Sequence, residues 1–157
     1  MNEHDEIIER IVVFLNAIAI QVVEKKLTNA TFLPGLQIHG NTIYLDRDKL
    51  KYPGDMLHEA GHIAVAEEEI RPLIGTKTMH GNWPTDGEEI AAILWSFAAS
   101  KHLNLDLNVV FHPNGYKTDS QWLIDQFTAK NYVGLPLLEW MSLCTKDEFP
   151  KMRKWIR

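Results

Sequence analysis

The sequence predicts an α+β fold: one mostly helical domain over residues 1–157, with a short β-hairpin or small sheet preceding its second helix. Three observations carry that expectation. Apolar residues recur every three to four positions in several stretches, the period of a helix with one buried face. Residues alternate on both sides of Gly40-Asn41, the period of two strands joined by a tight turn. No repeat, low-complexity tract or linker divides the 157 residues, a length that suits one compact core.

Taken in order, Asp5 to Lys26 reads as one long amphipathic helix, with Ile7, Ile8, Ile11, Phe14, Leu15, Ile18, Val22 and Val23 on its apolar stripe. Leu36–His39 and Thr42–Leu45 are the two arms of the hairpin. Tyr52-Pro53-Gly54-Asp55 opens a second helix, with Pro53 suited to a first turn and Asp55 to its positive end. That helix is expected to run through Ala66 and fade in Glu67-Glu68-Glu69. Residues 71–84 contain Pro72, Gly75, Gly81 and Pro84 and read as a loop. A third helix begins near Thr85 or Asp86 and continues to Ala99. It is apolar on every side, the mark of a central buried helix. His112-Pro113-Asn114-Gly115 is a turn. Ser120 to Lys130 forms an amphipathic helix, and Leu135 to Leu143 another with Pro136 in its first turn.

Composition excludes several classes. Hydrophobic content of 45% and charged content of 24% fit a globular chain and are too apolar for disorder. A net charge of −5 gives no basic field that would draw the chain to nucleic acid or anionic lipid. The one basic group, Lys151, Arg153, Lys154 and Arg157, reads as a solvated last helix turn whose cations suit the helix dipole. The apolar run from Ile11 to Val23 is too short to span a bilayer and follows an acidic start, so no export or membrane segment is expected and the cytoplasm is the default. Cys144 stands alone, which excludes a disulfide framework and a Cys-rich zinc site. Its apolar neighbours suit a buried, inert thiol. Trp83, Trp95, Trp122, Trp140 and Trp155 read as core or interface anchors.

The chemistry lies in His58-Glu59-Ala60-Gly61-His62, inside the second helix. Residues four apart on a helix differ by about 40° in direction, so both imidazoles leave one face a turn apart. Two neutral imidazole nitrogens can then reach one metal ion at about 2.0–2.1 Å each. Glu59 points further round the helix, within reach of a water bound to that ion. A purely structural reading has to seat two histidines and a glutamate in one turn of a core-packed helix, each needing a polar partner.

A hydrolytic zinc site takes a third protein ligand and leaves a position for water. Glu88-Glu89, at the start of the buried third helix, supplies the candidates. Thr85-x-x-Glu88 matches a capping box, in which Glu88 turns back to the helix start and leaves Glu89 free. Asp86-x-x-Glu89 offers a similar cap, so Glu89 is preferred with Glu88 as the alternative. Both could also be first-turn acids serving the helix dipole. His112 and Tyr116 flank the Pro113-Asn114-Gly115 turn and are candidate oxyanion donors, a structural role being the competing reading. His80, in the loop between the two helices, is a weaker candidate ligand. His39 and His102 carry no argument beyond their type, and His4 falls in a chain terminus.

The five-residue motif followed by a helical glutamate resembles the zincin metallopeptidases of the gluzincin type. The preceding hairpin and the glycine before the second histidine are similar to small ImmA/IrrE-type members of that group. The likeness covers Leu36 to Ala99, and departs from the pattern at Ile90-Ala91, where Ala-Asn is usual. It implies a single zincin-like domain in which His58, His62 and Glu89 hold Zn²⁺ and Glu59 is the general base. It also implies that the strand Thr42–Leu45 lines the cleft and pairs with an extended peptide or protein substrate. Two other functions compete with a peptidase: a catalytically silent zincin-like binding or regulatory module, and a non-peptidase hydrolase such as a deformylase. The second lacks the cysteine ligand a deformylase would need near the motif.

Overall fold

The computed structural model describes residues 1–157 and shows a mixed α+β architecture of five α-helices and one three-stranded sheet. Helix α1 spans Glu3–Ala17 and is capped by the Asn2 side chain, which accepts from the Asp5 N–H at 2.8 Å. Its buried stripe is Ile8, Ile11, Phe14 and Leu15. The helix stops at Ala17 and does not reach Lys26 as expected. Ala19 takes a left-handed conformation (φ 71), and Gln21–Glu24 becomes strand β1. Residue type explains the difference. Ile18, Ile20, Val22 and Val23 are β-branched, so they tolerate a strand at least as well as a helix, and a free partner strand decides the outcome.

Strands β2 (Leu36–His39) and β3 (Thr42–Leu45) form the expected antiparallel hairpin, with Ile38 opposite Ile43. Gly40 alone takes a positive φ (60) in the turn, the type II′ pattern that matches strand twist. β1 adds parallel to β3, so the order is β1-β3-β2 and β3 is the central strand. The expected pairing of substrate with Thr42–Leu45 is therefore excluded, because both edges of that strand are taken. The Gln21 and Lys25 amides donate to the Asn41 and Leu45 carbonyls of the β3 segment. Odd-numbered residues of β3 thus face β1, and Ile38, across from Ile43, turns its main-chain groups to the outer side of β2, where Gly75 packs on the Ile38 carbonyl and the Ile74 carbonyl accepts from the Gly40 amide at 2.8 Å.

Helices α2 (Asp55–Val65) and α3 (Asp86–His102) pack against each other more extensively than any other pair of elements. α3 buries Leu94, Trp95, Phe97 and the intervening small residues, as its all-round apolar character predicts. Helix α4 covers Ser120–Thr128. Helix α5 covers Leu135–Trp140 and stops short of Leu143, where Ser142 turns left-handed (φ 63).

The basic C-terminal group does not form the expected helix turn. Residues 141–157 run back across the molecule, and Arg157 donates from its amide to the Ala64 carbonyl (2.9 Å) and from its guanidinium to that of Val65 (3.1 Å). Arg71, itself buried, donates to the Ile63 and Ala66 carbonyls at 3.2 and 3.1 Å and to that of Arg157 at 2.7 Å. Two cations thus satisfy the orphan carbonyls at the end of α2 and oppose its dipole. No helix is long and apolar enough to cross a membrane.

Candidate metal centre

Helix spacing and one capping box build the site. His58 and His62 leave the same face of α2, with their Nε2 atoms 3.2 Å apart. At the start of α3 the Thr85 hydroxyl accepts from the Glu88 amide at 3.2 Å, and the Glu88 carboxylate accepts from the Thr85 amide at 3.2 Å. Glu88 is thereby turned back on the cap, and the next residue is left free. Glu89 reaches across to α2, its two oxygens 3.4 Å from His58 Nε2 and 3.0 Å from His62 Nε2. Gly61 allows the approach, since a Cβ there would lie 2.7 Å from the Ala92 carbonyl oxygen of α3.

The donor set fits a small divalent ion. One atom from each of His58, His62 and Glu89 lies within 4.8 Å of the others. A tetrahedral zinc with bonds of about 2.0–2.1 Å spaces its ligand atoms about 3.3–3.4 Å apart. The His58–His62 separation of 3.2 Å stands close to that edge length, and the Glu89 carboxylate meets the pair with one oxygen 3.4 Å from His58 and the other 3.0 Å from His62. Burial would raise the Glu89 carboxyl, but hydrogen bonds from His58 and His62 outweigh it and hold the group well below the usual carboxylate range. Glu89 is therefore ionised, as a ligand must be.

Glu59 lines the same cleft as the three candidate ligands. Burial pushes its carboxyl up to about 7; Asp55 and Glu89 add to the rise and His58 opposes it. A carboxyl poised there can take and return a proton near neutral pH.

The two candidate oxyanion donors also stand on the cleft wall, between them supporting His58 and Asp55. Tyr116 stacks on the His58 ring with centroids 4.9 Å apart, and burial pushes its phenol well above the usual range, so it remains a neutral O–H donor. His112 Nε2 lies 2.8 Å from Asp55 Oδ1, both side chains being buried. The imidazole stacks flat on Tyr52 (3.8 Å, 13°), whose hydroxyl accepts from the Asn114 amide. Burial raises the Asp55 carboxyl and the bond to His112 opposes that rise.

Four buried side-chain polar atoms have no hydrogen-bond partner: His62 Nδ1, Trp83 Nε1, His112 Nδ1 and Tyr116 Oη. All four residues line this one cleft of about 1080 Å³. An orphaned buried donor or acceptor costs about 1–3 kcal/mol, so the residues around this cleft carry unpaired polar groups in the wall behind it.

The remaining candidates lie elsewhere. Glu88 serves the cap, and His80 is exposed in the loop outside the donor cluster. His39 packs on Tyr44, His102 lies between Phe14 and Trp155, and His4 sits in the first turn of α1. Cys144 is buried and unpaired, and burial pushes its thiol up to about 11. Sequence reasoning missed Asp55, Tyr52 and Trp83. Asp55 had a usable signal: it lies three residues before His58 and so on the motif's side of the helix. Trp83, edge-on to His62 at 5.6 Å, had none. Comparison with protein-family models, curated proteins and solved structures gives no match.

Proposed function

We propose that the chain is a zinc-dependent hydrolase, a zincin-like metallopeptidase that cleaves a peptide or amide bond in a peptide or protein substrate. The observation that carries this reading is the convergence of His58 Nε2, His62 Nε2 and the Glu89 carboxylate, one ligand atom from each lying within 4.8 Å of the others. Zinc held by His58, His62 and Glu89 would supply Lewis acidity there, lowering the pKa of water towards ~7 and polarising the substrate carbonyl.

The chain's own residues divide the remaining work. Glu59 accepts a proton from the attacking water and returns it to the amine nitrogen as the C–N bond breaks, so hydroxyl and proton end on the two products. Tyr116 and His112 are the candidate donors on the cleft wall; with Tyr116 Oη and His112 Nδ1 buried and His112 Nε2 on Asp55, either side chain would turn to reach the carbonyl oxygen as it gains charge. Ile38 and the Phe32-Leu33-Pro34 segment border the cleft and offer an extended peptide an apolar wall to lie along.

The test compares zinc-loaded protein with its Glu59→Gln variant on a mixture of internally quenched peptides. Expected are cleavage by the parent, zinc content unchanged in the variant, and a rate loss of about 10²–10⁴-fold. Zinc bound by both with no cleavage by the parent would replace the peptidase with the binding-module reading.

A further inference from the structure

Beside the metal cleft lies a second cavity, of about 340 Å³. Its apolar walls are Ile90 and Ile93 of α3, Trp122, Leu123 and Phe127 of α4, and Val133, with Asp119 also lining it. Trp122 is 53% exposed, Val133 46% and Ile90 37%, so three large apolar side chains that face water converge on one mouth. A concentration of this kind marks a surface that an apolar group covers.

The cavity abuts the candidate metal centre. Glu89, Tyr116 and Lys117 line both spaces. The divide between them is unusual backbone: Tyr116, Lys117 and Thr118 are consecutive non-glycine residues with φ of 53, 52 and 72. Such conformations cost free energy and persist where the surroundings impose them. Here the Ser120 hydroxyl binds the His112 and Gly115 carbonyls at 2.6 and 3.2 Å, and the Thr118 and Asp119 amides close onto Gly115 and Tyr116. The result holds the Tyr116 ring as a shared wall, stacked on His58 on one side and against Phe111 on another.

From this placement we infer that the cavity is the specificity pocket of the metal centre: it receives the large aromatic or aliphatic side chain of the residue adjoining the cleaved bond. The inference rests on the hydrolase reading and adds the substrate class. Size supports it, since a cavity of ~150 Å³ holds a benzene molecule and roughly twice that admits a phenyl or indole group. Glycine or alanine at that position would leave the apolar walls unfilled.

Two hydroxamates titrated into zinc-loaded protein test it without turnover: acetohydroxamic acid, and 3-phenylpropanohydroxamic acid, which carries the ring. The phenyl compound is expected to bind at least about 10-fold more tightly. Val133→Trp fills the mouth from an exposed position, and should bring the ratio to within about 3-fold with acetohydroxamate affinity unchanged. Peptides differing only in Phe against Ala at one position should show the same preference in kcat/KM, lost in the variant. Equal affinity of the parent for the two hydroxamates, or a ratio untouched by Val133→Trp, would overturn the inference while leaving the metal centre standing. Failure of both compounds to bind would overturn the metal centre itself, and the inference with it. The expected ratio without any peptide cleavage would keep the pocket and remove the peptidase.

Discussion

Gly61 lies against Ala92 so closely that a Cβ on the glycine would stand 2.7 Å from the Ala92 carbonyl oxygen. That contact sets the separation of α2 and α3, and with it the distance from His62 to Glu89. An alanine in a free helix is about 1 kcal/mol better than glycine. Here the sign reverses: Gly61→Ala should cost about 1–3 kcal/mol in urea unfolding and weaken zinc binding, because the backbone oxygen cannot yield without parting the helices.

Glu88 and Glu89 are adjacent in sequence but have different partners. Glu89→Gln removes the charged oxygen facing His58 and His62, and should lower zinc affinity by at least about 100-fold in a chelator competition. Glu88→Gln keeps the capping box, in which glutamine serves as well as glutamate, and should leave affinity within about 3-fold. Similar losses in both variants would remove Glu89 from the ligand set.

The Glu59 carboxyl gives the metal-free protein a pH signature. Unfolded, it ionises near 4.5; folded, burial moves it to about 7. Across that window the folded state keeps a proton that the unfolded state releases, so stability falls as pH rises from 4.5 through 7. Glu59→Gln should therefore stabilise chelator-treated protein by about 1–3 kcal/mol at pH 8 and by almost nothing at pH 4. An equal gain at both values would mean that the carboxyl is not buried in the folded state.

Asp55 and His112 meet at 2.8 Å from helix and turn, 57 positions apart in the chain. Both are buried, so their coupling should exceed the 0.2–1 kcal/mol of an exposed pair. A double-mutant cycle with Asp55→Asn and His112→Gln should return about 1–3 kcal/mol, read from unfolding midpoints. A value near zero would leave His112 positioned by its stacking on Tyr52 alone.

The features that were legible in the sequence are those written locally. The hairpin was legible because Gly40 fixes the turn and the arms alternate; the cluster of His58, His62 and Glu89 was legible because helix period and the Thr85-x-x-Glu88 box are short-range rules. Strand β1 was hidden because its β-branched residues continue the apolar stripe of α1, and only pairing with β3 separates the two. The same pairing makes Thr42–Leu45 the central strand and takes the edge expected for a substrate. The Asp55–His112 bond and the capping of α2 by Arg71 and Arg157 join distant segments, which no local pattern encodes.

The central claim is that His58, His62 and Glu89 hold zinc, and metal content measures it directly. Protein purified without chelator, beside a His58→Ala/His62→Ala variant shown to be folded by circular dichroism, would be analysed for bound metals by mass spectrometry. The account predicts about one zinc per chain in the parent and none in the variant. No zinc in the parent, and no tight uptake when zinc is added back, would contradict it.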